Sequence, residues 1–438
     1  MRELWNSSIL AALALLLVAC GGTANPDPND PGGSACRETL NGNVRAPLHL
    51  QNFGEGCDYL VTGDYLDVEA RVTADPGTLV AVAAGTRIMV RDGGSIELEG
   101  TAASPVTFTG NVQEPGSWDG FCFSVGHRES SFEHVHVVWA GNGALRTSNN
   151  QCRGAIGSVG DYAPVSITDS IVFGSATTGI EAARMVLGSF SNNRLAHNAE
   201  YGIRVSGENV RKLDARTDYA GELSVLPDDS VTPNGVPYVH VVPGTSGVAT
   251  PGEHTWRDLG VPFHVASDGP HYTTSVLNFH PDTLVAVEAG TTLLIGEHVS
   301  LNIDDGAVLG LFGTEAAPVT VTADTAGAVP GHWDGIRVNG GGLIAIDAQI
   351  SYGGQASGIS RLRGNVGFFS SRPTHPCSHL ENTVLARSGT YGVNIDPSYS
   401  DFVSLASSNG YVDNSAADVS GTAAGPAVRT FDEALACM

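Results

Sequence analysis

The side chains placed to do chemistry in this 438-residue chain gather between residues 110 and 165. His134 and His136 stand two positions apart, so a strand puts both imidazoles on one face, with His127 and Glu133 close by. Nitrogen and carboxylate donors that converge in this way are what a zinc ion needs. Trp118 and Trp139 offer flat faces on which a sugar ring can stack, and Asp161 adds a carboxylate for its hydroxyls. Trp118, Glu133, His134, His136, Trp139 and Asp161 are therefore the candidate glycan-binding residues. The bland alternatives are core packing for the tryptophans and indifferent exposed positions for the histidines. No catalytic residue is assigned and no metal site is expected. The calcium-binding nonapeptide pattern Gly-Gly-x-Gly-x-Asp is absent, so calcium would have to bind without a motif and no cofactor is expected.

Cysteine is the other reactive type, with seven in the chain. Arg2 precedes an apolar run from Ile9 to Ala19, too short to span a bilayer comfortably as a helix. The run ends in Leu17-Val18-Ala19-Cys20-Gly21, which resembles the lipobox of bacterial lipoproteins. That resemblance implies removal of residues 1–19 as a signal peptide and lipidation of Cys20. Gly21 rather than Asp after the cysteine points to the outer membrane or cell surface. Residues 20–35 then form the lipidated start and a Gly-, Pro- and Asn-rich tether. Six cysteines remain, and proximity suggests the pairs Cys36–Cys57, Cys122–Cys152 and Cys377–Cys437 among fifteen possible connectivities. Metal ligation at His375, Cys377 and His379 is the rival to its disulfide.

Positioning these residues falls to a cassette that occurs twice. Its first copy runs from Thr78-Leu79-Val80 to Gly85-Thr86, through Gly100-Thr101 and Pro105-Val106, to Trp118-Asp119-Gly120. Its second runs from Thr283-Leu284-Val285 to Gly290-Thr291, through Gly313-Thr314 and Pro318-Val319, to Trp333-Asp334-Gly335. A tryptophan that recurs at one cassette position is wanted by the fold, which favours packing over ligand for Trp118. The histidine pair does not recur: Asp347 and Gln349 occupy the aligned positions, so the scaffold does not require imidazoles there. A shorter repeat relates Asp169, Val172, Ser175, Gly179 and Ile180 to Asn192, Leu195, Asn198, Gly202 and Ile203, a uniform shift of 23 (192 − 169). Two dozen residues per unit, in short alternating strands with Gly and Pro between them, suit one turn of a three-sided coil that returns above itself.

These motifs, with Asn192-x-x-Leu195-x-x-Asn198-x-x-x-Gly202-Ile203, resemble the right-handed parallel β-helix repeat proteins, a group that includes pectate-lyase-like enzymes, carbohydrate-binding and sugar-hydrolase repeats, and surface lipoproteins. The resemblance covers most of residues 59–412 and implies an all-β solenoid. The expected organisation is a first β-helix half over 36–206, an irregular junction over 207–262, and a second half with a C-terminal cap over 263–438. It specifies architecture more than activity.

Composition narrows the partners. The chain has 46 acidic and 22 basic residues, a net charge of −24 and a single lysine, Lys212. Such a surface argues against nucleic acid and would repel anionic polyuronates. The expected partners are the membrane, through the lipid, and an extracellular polysaccharide or a surface protein. Two functional readings follow: a non-catalytic envelope module for binding, adhesion or spacing, and a polysaccharide lyase, glycoside hydrolase or glycan-binding protein with its site on a ladder face near 110–165.

Overall fold

A computed structural model describes residues 36–54, 56–142, 152–160, 163–223, 231–244, 247–267, 275–355, 364–369 and 376–437. Residues 1–35, where a signal peptide, a lipidated Cys20 and a tether are expected, and Asp161 lie outside the described residues. The chain divides into two compact units, one of Met1–Arg204 with Lys212–Val239 and one of Val205–Arg211 with His240–Met438.

Every strand pair between successive coils is parallel. In the first unit, one face stacks Leu79–Val82, Val106–Gly110, Val135–Val138, Ile171–Phe173 and Arg194–Ala196. A second stacks Arg87–Val90, Gly120–Phe123, Ile156–Ser158 and Ile180–Ala182. A third runs from Leu48–Leu50 through Arg71–Ala74, Ser95–Glu99, Ser130–Glu133 and Pro164–Thr168 to Val186–Ser191. Strand, corner, strand, corner, strand and return is one coil of a parallel β-helix, with the right-handed crossover that parallel strands take. The alternation in the sequence is the cause: Phe108, Val137, Val172 and Leu195 fall in register and fill the axis, each with 4% exposure or less. Burying such side chains stabilises by roughly 1.5–3 kcal/mol each.

The second unit repeats the plan on three faces. These contain Thr283–Val287 and Val308–Phe312, Val299–Ile303 and Gly335–Asn339, and Thr292–Ile295 and Val319–Ala323. Strands Val239–Val242 and Gly252–Trp256 lie inside 207–262, where Val239, Val241, His254 and Trp256 alternate as buried positions.

The recurrence of Gly100 and Gly313 has a steric reason. A Cβ on either would lie 2.4 or 2.1 Å from a carbonyl oxygen of the next coil, that of His134 or Asp347. The three disulfides join Cys36 to Cys57, Cys122 to Cys152 and Cys377 to Cys437. The last ties down the helix Phe431–Leu435, which opens on a Thr430–Glu433 capping box and packs with Phe312, Val308 and Ile344. Cys377 is thereby no thiolate ligand.

Candidate functional site

The site is built on the outer surface of the first unit's Val135–Val138 face. Register places His136, Ile171 and Arg194 in one column across three coils. At the preceding corner His134, Asp169 and Asn192 form a second column, each in the left-handed region with φ of 49, 51 and 54°. Asn192 Nδ2 donates to Asp169 Oδ1 over 2.5 Å, so the corner is tied coil to coil. Thr101, Ala102 and Pro105 form the lip, and together these residues line a cleft of about 40 Å³. A water-sized group needs on the order of 10–15 Å³ of such space, so the cleft holds about three of them and no pyranose ring.

Burial sets the electrostatics. His136 is 5% exposed, and its Nδ1 has no hydrogen-bond partner among the described residues. Loss of hydration pulls its pKa down to about 4, and the neighbouring His134 and Arg194 push the same way. The ring is therefore neutral at ordinary pH, with one donor and one acceptor nitrogen. Burial also lowers the pKa of Arg194, against the pull of Asp218. Ser170 is already used: its hydroxyl donates to Thr168 O and accepts from Val135 N.

Further along the same outer face, Val138, Ile171, Phe173 and Ala196 form an apolar cluster against which Trp139 packs, partly exposed. Trp139 meets Phe173 and His197 edge-on, with ring centroids 5.0 and 5.9 Å away. It reaches His197 by lying over Gly174, whose φ is +73° and where a Cβ would stand 2.4 Å from Cε3 of the indole.

The remaining sequence candidates go elsewhere. Trp118 is fully buried, donates its indole N–H to Val138 O and packs edge-on against Phe121; it presents no face to a sugar. Trp333 does the same with Ser351 O in the second copy. Glu133 belongs to a different face of the coil, in register with Glu99 and Thr168, and is exposed. His127 lies beyond Gly120–Phe123, with Nδ1 2.9 Å from Arg128 O. The zinc-like set therefore does not assemble around His134 and His136, and among the described residues no group of three or more His, Cys, Asp or Glu could hold a metal ion.

Asp169, Asn192 and Arg194 are what sequence reasoning missed as site residues. The 23-residue shift marks Asp169 and Asn192 as ladder positions, and only stacking brings all three to the histidines. A second polar cluster was also missed. In the second unit Asp324 accepts from Nε2 of both His264 and His332, over 3.1 and 2.9 Å. Burial alone would raise its pKa, but the two imidazoles outweigh that and hold it below the usual carboxylate value.

No protein-family model matches the chain, and no curated protein matches it. Among solved structures it is similar to the A-module of the mannuronan C-5 epimerase AlgE4 of Azotobacter vinelandii, at 15% identity over 85% of this chain and 91% of that one, with a TM-score of 0.25. The parallel β-helix rests on the strand pairing of this chain itself, and that similarity adds nothing to the site.

Proposed function

We propose that the chain is a lipid-anchored envelope module that binds glycan, without catalysis, through the outer face of Val135–Val138. The observation that carries this reading is the buried Nδ1 of His136, which is one of several buried polar atoms without a hydrogen-bond partner among the described residues and the one whose residue lines this cleft. Leaving a buried polar atom unmade costs roughly 1–3 kcal/mol, a cost that a bound hydroxyl removes. The second cassette supplies the contrast. Its aligned column is Gln349, Val384 and Gly410, with Gln349 and Val384 exposed. A fold that tolerates Gln349 there does not need a buried histidine for stability.

Binding is favoured over hydrolysis because the cleft holds a single carboxylate, Asp169, where glycosidic cleavage calls for two. The anchor reading rests on Leu17-Val18-Ala19-Cys20, which lies before the first coil. Two measurements test the proposal. The mature chain is presented to neutral, acidic and amino-sugar polysaccharides, and retention on at least one, weakened by His136→Leu, is expected; no retention on any of them rejects glycan binding. Expression of Cys20→Ser moves the protein from the membrane fraction to the soluble one if the anchor is real, and an unchanged distribution rejects it.

A further inference from the structure

We infer that this face takes a neutral oligosaccharide of two or more residues, with hydroxyls of one ring in the His136 cleft and a second ring against Trp139. The inference rests on the glycan-binding reading and adds the ligand's charge class and minimum length.

The length follows from geometry. His136 is the second residue of the strand Val135–Val138, and Trp139 stands at the corner that follows it, with φ of 62°. From His136 to Val138 alone is about 7 Å at the rise of a strand, which is longer than one pyranose ring. Between them Val138, Ile171, Phe173 and Ala196 are buried, each 5% exposed or less, and Trp139 packs against them, so the apolar indole is what a second ring meets. The cleft has room for about three water-sized groups, enough for adjacent hydroxyls and the water between them.

The charge class follows from the donors and acceptors. A hydroxyl both donates and accepts, and the cleft offers both kinds of partner: acceptor-only Asp169, donor-only Arg194, and neutral His136 with one of each. An anionic substituent would gain from Arg194 but face the Asp169 carboxylate across the same small space. It would also approach a chain whose net charge is −24. A hydroxyl pair meets no such opposition.

The second unit shows that the cassette does not build this surface by default. There Ser351 and Ala386 stand at the positions of Val138 and Phe173, and the ring at the Trp139 position, Tyr352, is covered by the guanidinium of Arg387 5.4 Å above it. In the first unit Gly174 stands at the position of Arg387, so no side chain covers the indole there and Trp139 reaches across to His197 in the coil beyond.

The test is calorimetric titration of the mature chain with oligosaccharides of one to six residues in matched neutral and uronic-acid series, for wild type, His136→Leu, Trp139→Ala and Asp169→Asn. Far-UV circular dichroism and the melting temperature establish that each variant is folded. Binding of a neutral series that strengthens at least tenfold between one and three residues supports the inference, provided His136→Leu and Trp139→Ala each weaken it at least tenfold. Asp169→Asn, which keeps the shape and removes the charge, is expected to weaken neutral binding severalfold and to improve uronate binding. Preference of wild type for the uronic-acid series, lost in the same variants, overturns the neutral class and leaves the glycan face standing. A neutral monosaccharide bound as tightly as a trisaccharide overturns the two-ring arrangement. Binding in neither series, or binding indifferent to both His136→Leu and Trp139→Ala, overturns the face itself.

Discussion

Acid should weaken this protein in a way that one residue largely controls. His136 has a folded pKa of about 4 against 6.5 for the free side chain. Between those values the unfolded chain takes up a proton that the native state refuses, so stability present at neutral pH is lost as the pH falls. The full effect is 2.5 units (6.5 − 4), or about 3 kcal/mol at ~1.4 kcal/mol per unit. Between about pH 7 and pH 4.5 the linkage relation gives a loss of about 2 kcal/mol. The perturbation is His136→Leu, which removes the titrating ring and leaves an apolar side chain of similar size beside Ile171. Urea unfolding of wild type and variant at the two pH values yields four free energies, and the double difference isolates His136. His127 and His197, whose pKa values burial also lowers, are present in both proteins and cancel. Wild type should lose about 2 kcal/mol more than the variant. Equal losses would refute a buried neutral imidazole, and with it the hydrogen-bonding pattern assigned to the cleft.

Three further outcomes follow from particular contacts. Trp118→Ala removes a fully buried indole and its hydrogen bond to Val138 O, and should cost ~3–5 kcal/mol by thermal or urea unfolding; a change below ~1 kcal/mol would mean the site is not core. Gly174→Ala forces a side chain into a left-handed backbone position and against Trp139, so a loss of ~1–3 kcal/mol is expected with a shift in indole emission; unchanged emission contradicts the overlay of Trp139 on that glycine. In the double variant Cys377→Ser/Cys437→Ser, amide exchange should quicken across Phe431–Leu435 while Val308–Phe312 stays protected. Equal protection in both proteins would show that the cap is held by packing alone.

Much of the fold was legible because stacking writes itself into spacing. Val172 and Leu195, 23 residues apart, lie in direct register, as the period requires. Gly100 and Gly313 recur because a Cβ at either would meet the carbonyl of the coil above. The recurrence of Trp118 as Trp333 pointed to packing, and both are buried. Cys36–Cys57 and Cys122–Cys152, 21 and 30 residues apart, meet because about one coil separates them, whereas Cys377 and Cys437, 60 apart, meet where the C-terminal helix packs back. The absence of imidazoles from the aligned second cassette left function or indifferent exposure open for His134 and His136, and His136 is buried. The site itself was half visible. Glu133 and His136 look like neighbours in the sequence, but the corner at His134, with φ of 49°, turns them onto different faces. Asp169 and Arg194 carry no signal of their own, being ordinary residues at ladder positions.

The sequence by itself determined the period, the alternation that sends Val137, Val172 and Leu195 inward, and the turns that close each coil, because these depend on side-chain size and backbone freedom within a few residues. Only the tertiary structure decided that outward-pointing His136 is buried, that Arg194 and Asp169 share its cleft, and that Trp139 lies across Gly174. Those facts depend on which coils become neighbours and on how the turn at Thr101–Pro105 leans over them. No local pattern encodes a contact between residues that meet only when one coil is laid upon another.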